Sequence, residues 1–270
     1  MGGTNMSPEG RPDPSPVPTL SELLDVAVEA AHAGGRRTLE YFGGRVPSET
    51  KGDGSPVTPA DRASEREIRR VIQKAYPGHA ILGEEGGSTP GDPHVRWILD
   101  PIDGTKTFVH GVPLYAVLVA VEIDGRPSVG VIHLPALHET VAAASGLGCR
   151  WNGRPASVSP VERLSEATVL MTSVRGLEAR GVRFERLSSA TKLQRGWGDA
   201  YGYALVATGR VDAMIDAAVQ VWDVAPLLPI LEEAGGRFTD WHGHRGIASG
   251  DAVGSNGRIH DPLLRVLAER

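Results

Sequence analysis

The sequence predicts an α+β protein in which helices cover mixed β-sheets in layers. Three features point there: two N-terminal segments with helical periodicity, a central stretch of short β-like runs punctuated by turns, and a C-terminal half where strand and helix patterns alternate.

Thr19 and Glu22 have the spacing of a capping box, and Leu20, Leu23, Leu24, Ala27, Ala30 and Ala31 then recur with a helical period. A first helix starts there and is expected to run towards Tyr41 and Phe42, although Gly34 and Gly35 weaken its middle. After a loop carrying Lys51, Gly52 and Gly54, Thr58 and Pro59 read as N-cap and first residue of a second helix. Asp61 falls in its first turn; Ile68, Val71 and Ile72 form its buried side. Between Ala80 and Trp151 the clearest strands are 95–99, 115–121 and 129–133, with Asp124-Gly125 and Asn152-Gly153 as hairpin signals. The second half reads as strand 168–173, helix 200–208, strand 211–215, helix 224–233 ended by Gly235-Gly236, and strand 237–240. No internal repeat is visible, and no linker-like segment follows residue 18. Residues 1–18, rich in Pro, Gly and Ser, read as a flexible tail. Residues 19–270 read as one domain with two lobes, about 19–150 and about 151–270.

Hydrophobic residues make up 40% and charged residues 23% of the 270, the balance of a folded globular chain. A formal net charge of −5 offers no basic footprint for nucleic acid or an anionic membrane. An anionic ligand must therefore be held locally, most simply through a divalent metal. The longest apolar run, about 114–121, is far shorter than the ~20 residues of a membrane-spanning helix. Cys149 is the only cysteine, which excludes an intrachain disulfide and a cysteine-based metal cluster and points to the cytoplasm.

The most informative segment is Trp97-Ile98-Leu99-Asp100-Pro101-Ile102-Asp103-Gly104-Thr105. An apolar strand delivers two carboxylates to its end, Pro101 is expected to stop the ladder, and Gly104 and Thr105 open a turn with accessible N–H groups. That is a seat for metal and phosphate together, because hard cations such as Mg²⁺ take oxygen ligands and retain water. Gly83-Glu84-Glu85-Gly86-Gly87 presents a second acidic pair on a glycine-rich corner. Each carboxylate also has an ordinary reading. Asp100 and Asp103 suit a polar turn, Glu84 and Glu85 a solvated loop, Asp61 the dipole of its helix, and Asp223 a helix cap.

Taken together, Leu82-Gly83-Glu84-Glu85, the 97–105 stretch followed by Phe108, and Trp222-Asp223 with Glu233-Ala234-Gly235-Gly236 resemble the inositol-monophosphatase family in order and spacing. The resemblance runs from about residue 20 to the C-terminus. It implies a layered αβαβα sandwich of the inositol-monophosphatase-like sugar phosphatase type and a phosphoric monoester hydrolase. Two or three Mg²⁺ ions per site are implied, with Mn²⁺ as a substitute. By the same resemblance, Glu84, Asp100, the Ile102 carbonyl and Asp103 surround Mg²⁺, Asp223 joins Asp100 and Asp103 on a second ion, and Asp61 helps to bind a third. Thr105 works with Asp61 to orient and deprotonate the attacking water, the Gly104 and Thr105 N–H groups meet the phosphate, and Glu85 assists from just outside the ligands. Lys51 matches a lysine common before the Asp61 motif. Paired ions roughly 3.5–4 Å apart stabilise both attacking and leaving oxygens, so no covalent phosphoenzyme is required. The expected partners are a small-molecule phosphate ester and a second copy of the chain, with no nucleic acid and no membrane.

Within that family, Trp197-Gly198-Asp199, Tyr201-Gly202-Tyr203 and Leu205-Val206-Ala207 resemble the histidinol-phosphate phosphatase branch. So do Gly104-Thr105-Lys106, the 110–115 segment and Phe238-Thr239-Asp240-Trp241. Inositol-specific relatives generally carry a small residue where Asp199 stands. An added carboxylate suits a cationic substrate, so Asp199 is expected to pair an ammonium group, with Asp216 as a second polar contact. The alternative for Asp199 is an N-cap before Ala200. Thr107 stands where many relatives have asparagine. Inositol phosphate, a nucleotide bisphosphate or a sugar phosphate are the alternative substrates. The two-residue gap between Asp100 and Asp103 separates the motif from the Asp-x-Asp-Gly-Thr nucleophile of haloacid-dehalogenase-like phosphatases. The complete set of carboxylates with Thr105 argues against a binding module without turnover.

Overall fold

The structure, a computed structural model, describes residues 18–52 and 54–268, so the tail read for residues 1–18 lies outside it apart from Pro18. Helix α1 (Leu20–Leu39) opens on the expected capping box, with the Thr19 N–H donating to Glu22 at 2.8 Å. It ends before Tyr41 and Phe42, where the chain turns through Gly43 at φ +81°. Gly34 and Gly35 lower helix propensity but are required by packing. A Cβ on either would come within 2.6 Å of a neighbour, Ile68 for Gly34 and His133 for Gly35. A short hairpin of β1 (Glu49–Thr50) and β2 (Pro56–Val57) then leads into helix α2 (Pro59–Ala75).

Next come β3 (His79–Gly83), β4 (Gly87–Thr89), β5 (Asp92–Asp103) and the short helix α3 (Thr105–Val109). The antiparallel run β6 (Ala116–Ile123), β7 (Arg126–Leu134), β8 (Glu139–Ala144), β9 (Gly148–Trp151) and β10 (Arg154–Pro155) follows. These strands form an eight-stranded sheet in the order β10-β9-β8-β7-β6-β5-β3-β4. Both hairpin signals are used: Asp124-Gly125 lies at φ 49° and 74°, and Asn152-Gly153 at 48° and 77°, the pair of positive values that a type I′ turn needs.

The remaining chain supplies β11 (Thr168–Met171), α4 (Val174–Ala179), α5 (Phe184–Ala190), β12 (Leu193–Arg195), α6 (Asp199–Ala207) and β13 (Ala213–Asp216). It finishes with α7 (Val221–Val224), α8 (Leu227–Glu233), β14 (Arg237–Thr239), β15 (Ala252–Ser255) and α9 (His260–Ala268). Its five strands form a second sheet in the order β12-β11-β13-β15-β14. The single helix expected over 224–233 is two pieces, because Pro226 has no N–H to continue the ladder between them. Helices α4, α5 and α9 and strand β15 have no counterpart among the elements expected from the sequence.

Three apolar layers hold these parts together. Leu23, Ala27, Ile68 and Ile72 of α1 and α2 pack on Trp97, Val119 and Val131 of the large sheet. The opposite face, with Leu118, Ile132 and Val141, meets α6, α8 and the Leu170 and Met214 side of the small sheet. Leu187 of α5 and Leu263 of α9 cover the outer face of that sheet at Val169, Ile215 and Val253. The result is helices, sheet, helices, sheet, helices, the αβαβα order. Among the described residues no helix is long and apolar enough to cross a membrane.

Candidate active site

Pro101 does not end β5; it bulges it. Asp100 pairs with Leu118 and Asp103 with Ala116, so three steps along β5 match two along β6. In a regular strand residues i and i+3 face opposite sides, and one extra residue restores the parity. Both aspartates therefore reach the same face. There Asp223 of α7 joins them, with a ligand oxygen of each of the three within 4.8 Å of the others. Asp100 and Asp103 are 2% and 9% exposed. The Ile102 N–H donates to Asp100 Oδ1 at 3.0 Å, and the Ala200 N–H at the start of α6 donates to Asp103 Oδ2 at 2.6 Å. Burial, reinforced by the neighbouring carboxylates, pushes Asp100 and Asp103 well above the usual carboxylate range, and burial lifts Asp223 to about 7. Three converging carboxylates, Asp100 and Asp103 buried and Asp223 half-buried, need a counter-charge, and their all-oxygen donor set fits a hard divalent cation.

Glu84 lines the same cleft, and its Oε1 accepts from Lys51 Nζ at 2.7 Å. Lys51 also pairs with Glu85. Burial opposes the Lys51 charge, but the two carboxylates outweigh it and hold its pKa above the usual lysine value. The corner that carries this acidic pair is fixed by Glu65 of α2, which is 2% exposed. Glu65 accepts from the Glu85 N–H at 2.8 Å, the Gly86 N–H at 2.9 Å and Arg69 Nε at 2.6 Å. A Cβ on Gly83 would lie 2.2 Å from the same carboxylate, so the corner and α2 meet only because glycine stands there.

Asp61 is fully buried and is absent from the cleft wall. It reaches the cleft through Thr105, whose hydroxyl lies 3.3 Å from Asp61 Oδ1 and 3.0 Å from the Ile102 carbonyl. Asp61 Oδ2 accepts from the Thr58 N–H at 2.8 Å and the Thr58 hydroxyl at 2.6 Å. Asp223 is built alike, with Oδ2 accepting from the Gln220 N–H at 2.7 Å in the capping box of α7. The structural and chemical readings of these residues coexist, because a carboxylate has two oxygens and the cap commits one of them. Burial also raises the pKa of Asp61.

The cleft has a volume of about 620 Å³, with Asp199 facing the acidic cluster across Gly104. Gly104 lies at φ +79°, and a Cβ there would be 2.9 Å from Asp199 Oδ2, so both conformation and proximity call for glycine. Asp199 is not the N-cap of α6. Gly198 holds that position, and Asp103 from outside the helix takes the Ala200 N–H. Asp199 instead lies at φ +54°, an uncommon conformation for a residue with a side chain, held by its N–H on Thr172 Oγ1 at 2.9 Å. Its carboxylate accepts from the Thr107 and Thr172 hydroxyls, both at 3.4 Å. Thr107 thus has a partner of its own in Asp199. Asp216, 6% exposed and lifted by burial to about 6, lines a smaller cavity behind the cleft instead of the cleft itself.

Glu65 and Thr172 have no place among the sequence motifs, and Thr58 reads there only as a helix cap. The first had a signal: Glu65 follows Asp61 by four residues and precedes Arg69 by four, which puts all three on one side of α2.

The model of the inositol monophosphatase family matches residues 19–270. A histidinol-phosphatase of Chlorobaculum parvum is 42% identical over 233 residues, covering 85% of this chain and 90% of its own length. A histidinol-phosphatase of Mycobacterium tuberculosis is 43% identical over 223 residues, covering 80% and 86%. The solved structure of an IMPase of Thermotoga maritima superposes with a TM-score of 0.84 at 35% identity, covering 92% of this chain and 97% of that one. The carboxylates of β5 and α7 meet on the fold these relatives share, and the chain belongs to the inositol monophosphatase family, as a phosphoric monoester hydrolase.

Proposed function

We propose that this hydrolase is a Mg²⁺-dependent histidinol-phosphate phosphatase of histidine biosynthesis, a cytoplasmic homodimer that converts histidinol phosphate and water to histidinol and phosphate. The observation that carries the reading is the Asp199 carboxylate, held over Gly104 beside the acidic cluster, where a cationic substituent of a phosphate ester arrives. The names and identities of the two histidinol-phosphatases support it.

Glu84, Asp100, the Ile102 carbonyl, Asp103 and Asp223, with Asp61 for a third and weaker ion, are the residues that would hold the metal. Mg²⁺ held there would neutralise phosphate charge and lower the pKa of a coordinated water. Thr105 orients the attacking water with its hydroxyl and relays the proton to Asp61, 3.3 Å away. The N–H groups of Gly104 and Thr105 meet the phosphate oxygens. Glu85 holds the Glu84 corner in place through Lys51 and Glu65. Asp199 pairs the substrate ammonium through a charge-assisted contact.

Asp199→Asn tests the reading better than alanine, since asparagine tolerates the left-handed backbone and keeps the side-chain volume. The expected loss in kcat/KM is about ten- to a hundredfold for histidinol phosphate and far smaller for inositol 1-phosphate. Equal losses on both esters would make Asp199 structural.

A further inference from the structure

The Phe238-Thr239-Asp240-Trp241 segment lies outside the cleft wall, yet its last residue is tied to the loop that delivers Asp223. Strand β13 ends at Asp216 and α7 begins at Val221, so residues 217–220 carry the chain from the small sheet to the acidic cluster. Ala218 lines the cleft, and the Gln220 N–H donates to Asp223 Oδ2 at 2.7 Å, so loop and carboxylate move together. Two contacts pin the loop from outside. The Val219 N–H donates to the Gly250 carbonyl at 3.0 Å, and Arg180 Nη1 donates to the Ala217 carbonyl at 3.2 Å. Arg180 ends α4, gives its other terminal nitrogen to buried Asp251, and lies over the Trp241 ring, 5.4 Å from the centroid. The second Asp251 oxygen accepts from the Trp241 N–H at 2.9 Å, and Trp241 Nε1 donates at 3.3 Å to the carbonyl of Ala252, the strand partner of Asp216. An exposed ion pair alone would hold little. Here the carboxylate is buried, and one planar guanidinium reaches two acceptors while its face stacks on an indole.

We propose that Arg180 is a positioning residue: seated on Trp241 and Asp251, it fixes the 217–220 loop and with it the place of Asp223. The carboxylates of Asp100, Asp103 and Asp223 repel one another. Asp100 and Asp103 stand on a central strand, whereas Asp223 stands on a four-residue helix, so Asp223 is the member able to retreat and the clamp opposes that retreat. The inference rests on the reading of Asp223 as a Mg²⁺ ligand, and it gives Trp241 a task without contact to the substrate.

Calorimetric Mg²⁺ titrations and thermal melts of the wild type and Arg180→Lys test the clamp. Lysine keeps the charge beside Asp251 but lacks the fork for two acceptors and the flat face for the indole. Arg180→Lys should melt within about 4 °C of the wild type. Its Mg²⁺ Kd should rise about three- to tenfold, less than for a residue bonded directly to a ligand. The Mg²⁺ needed for half-maximal phosphate release should rise in step, with kcat at saturating Mg²⁺ nearly unchanged; a merely structural residue would lower Tm and leave the Mg²⁺ affinity of the folded protein alone. Arg245→Gln, which breaks an exposed ion pair with Glu232 on the same 240–251 segment, should move neither quantity. An unshifted Kd in folded Arg180→Lys, or an equal rise in Arg245→Gln, overturns the clamp. Hydrogen exchange at the Val219 amide judges the unaltered protein: protection without metal is expected, and exchange as fast as in an open loop until Mg²⁺ is added overturns the clamp. A wild type that binds no Mg²⁺ sinks the metal reading itself, and the clamp with it.

Discussion

Replacing Glu65 with glutamine tests how the acidic corner is held. Glu65 is buried on α2 and joins two backbone N–H groups, at 2.8 and 2.9 Å, to the Arg69 guanidinium at 2.6 Å. The amide retains one acceptor oxygen, turns an NH₂ towards a donor, and leaves Arg69 without its counter-charge. Breaking a buried ion pair from one side costs about 3–5 kcal/mol, and the lost backbone contact falls within that range. In a chain of this size each kcal/mol moves Tm by roughly 2–4 °C, so Glu65→Gln should melt roughly 6–20 °C below the wild type. The corner also carries Glu84. Ligand-supporting changes typically weaken metal affinity about 10- to 100-fold, and the Mg²⁺ needed for half-maximal rate should rise accordingly. Thermal melts and Mg²⁺ titrations of phosphate release read both effects. A Tm within about 2 °C of the wild type, which is under 1 kcal/mol, together with an unshifted Mg²⁺ titration would refute the reasoning.

Other consequences are as specific. Asp100→Asn retains an oxygen for the Ile102 N–H but removes one of the converging charges, so the fold should survive while the rise in Tm on adding Mg²⁺ disappears; an undiminished rise would take Asp100 out of the site. Thr105→Ala should lower kcat by about a hundredfold or more and leave half-saturating Mg²⁺ nearly unchanged, whereas a shift confined to the Mg²⁺ titration would make it a metal-site residue. His260, buried between the Thr239 and Ser255 hydroxyls at 2.8 Å each, is pulled down to about 4 by burial. The unfolded chain then binds the proton first, so this group's contribution to stability is present above about pH 6.5 and is lost towards pH 4, by on the order of 3 kcal/mol. Urea denaturation across that range should show a shallower pH dependence for His260→Asn; identical slopes would exclude His260 as the cause.

Residue type and spacing sufficed for much of this site, and three-dimensional pairing supplied the rest. Asp100 and Asp103 are legible as candidate ligands because carboxylates at the end of an apolar strand suit hard cations. What brings them to one face is the bulge at Pro101, which exists only against β6. Glu65 reads as an ordinary solvated helix residue until its partners, about twenty positions away, fold onto it. Gly34 and Gly35 read as helix weaknesses, although α2 and β7 approach too closely there for any side chain. Pro226 splits the helix that the apolar run over 224–233 suggests, because it has no N–H for the ladder. The left-handed backbone of Asp199 leaves no trace in composition, because Asp also suits the N-cap that is the alternative reading there.

The most direct test of the central claim is phosphate release from histidinol phosphate and from inositol 1-phosphate, measured side by side with Mg²⁺ and again after chelation. The account predicts rapid, chelator-sensitive release with the higher kcat/KM on histidinol phosphate. Release that survives chelation, or a higher kcat/KM on inositol 1-phosphate, would contradict it.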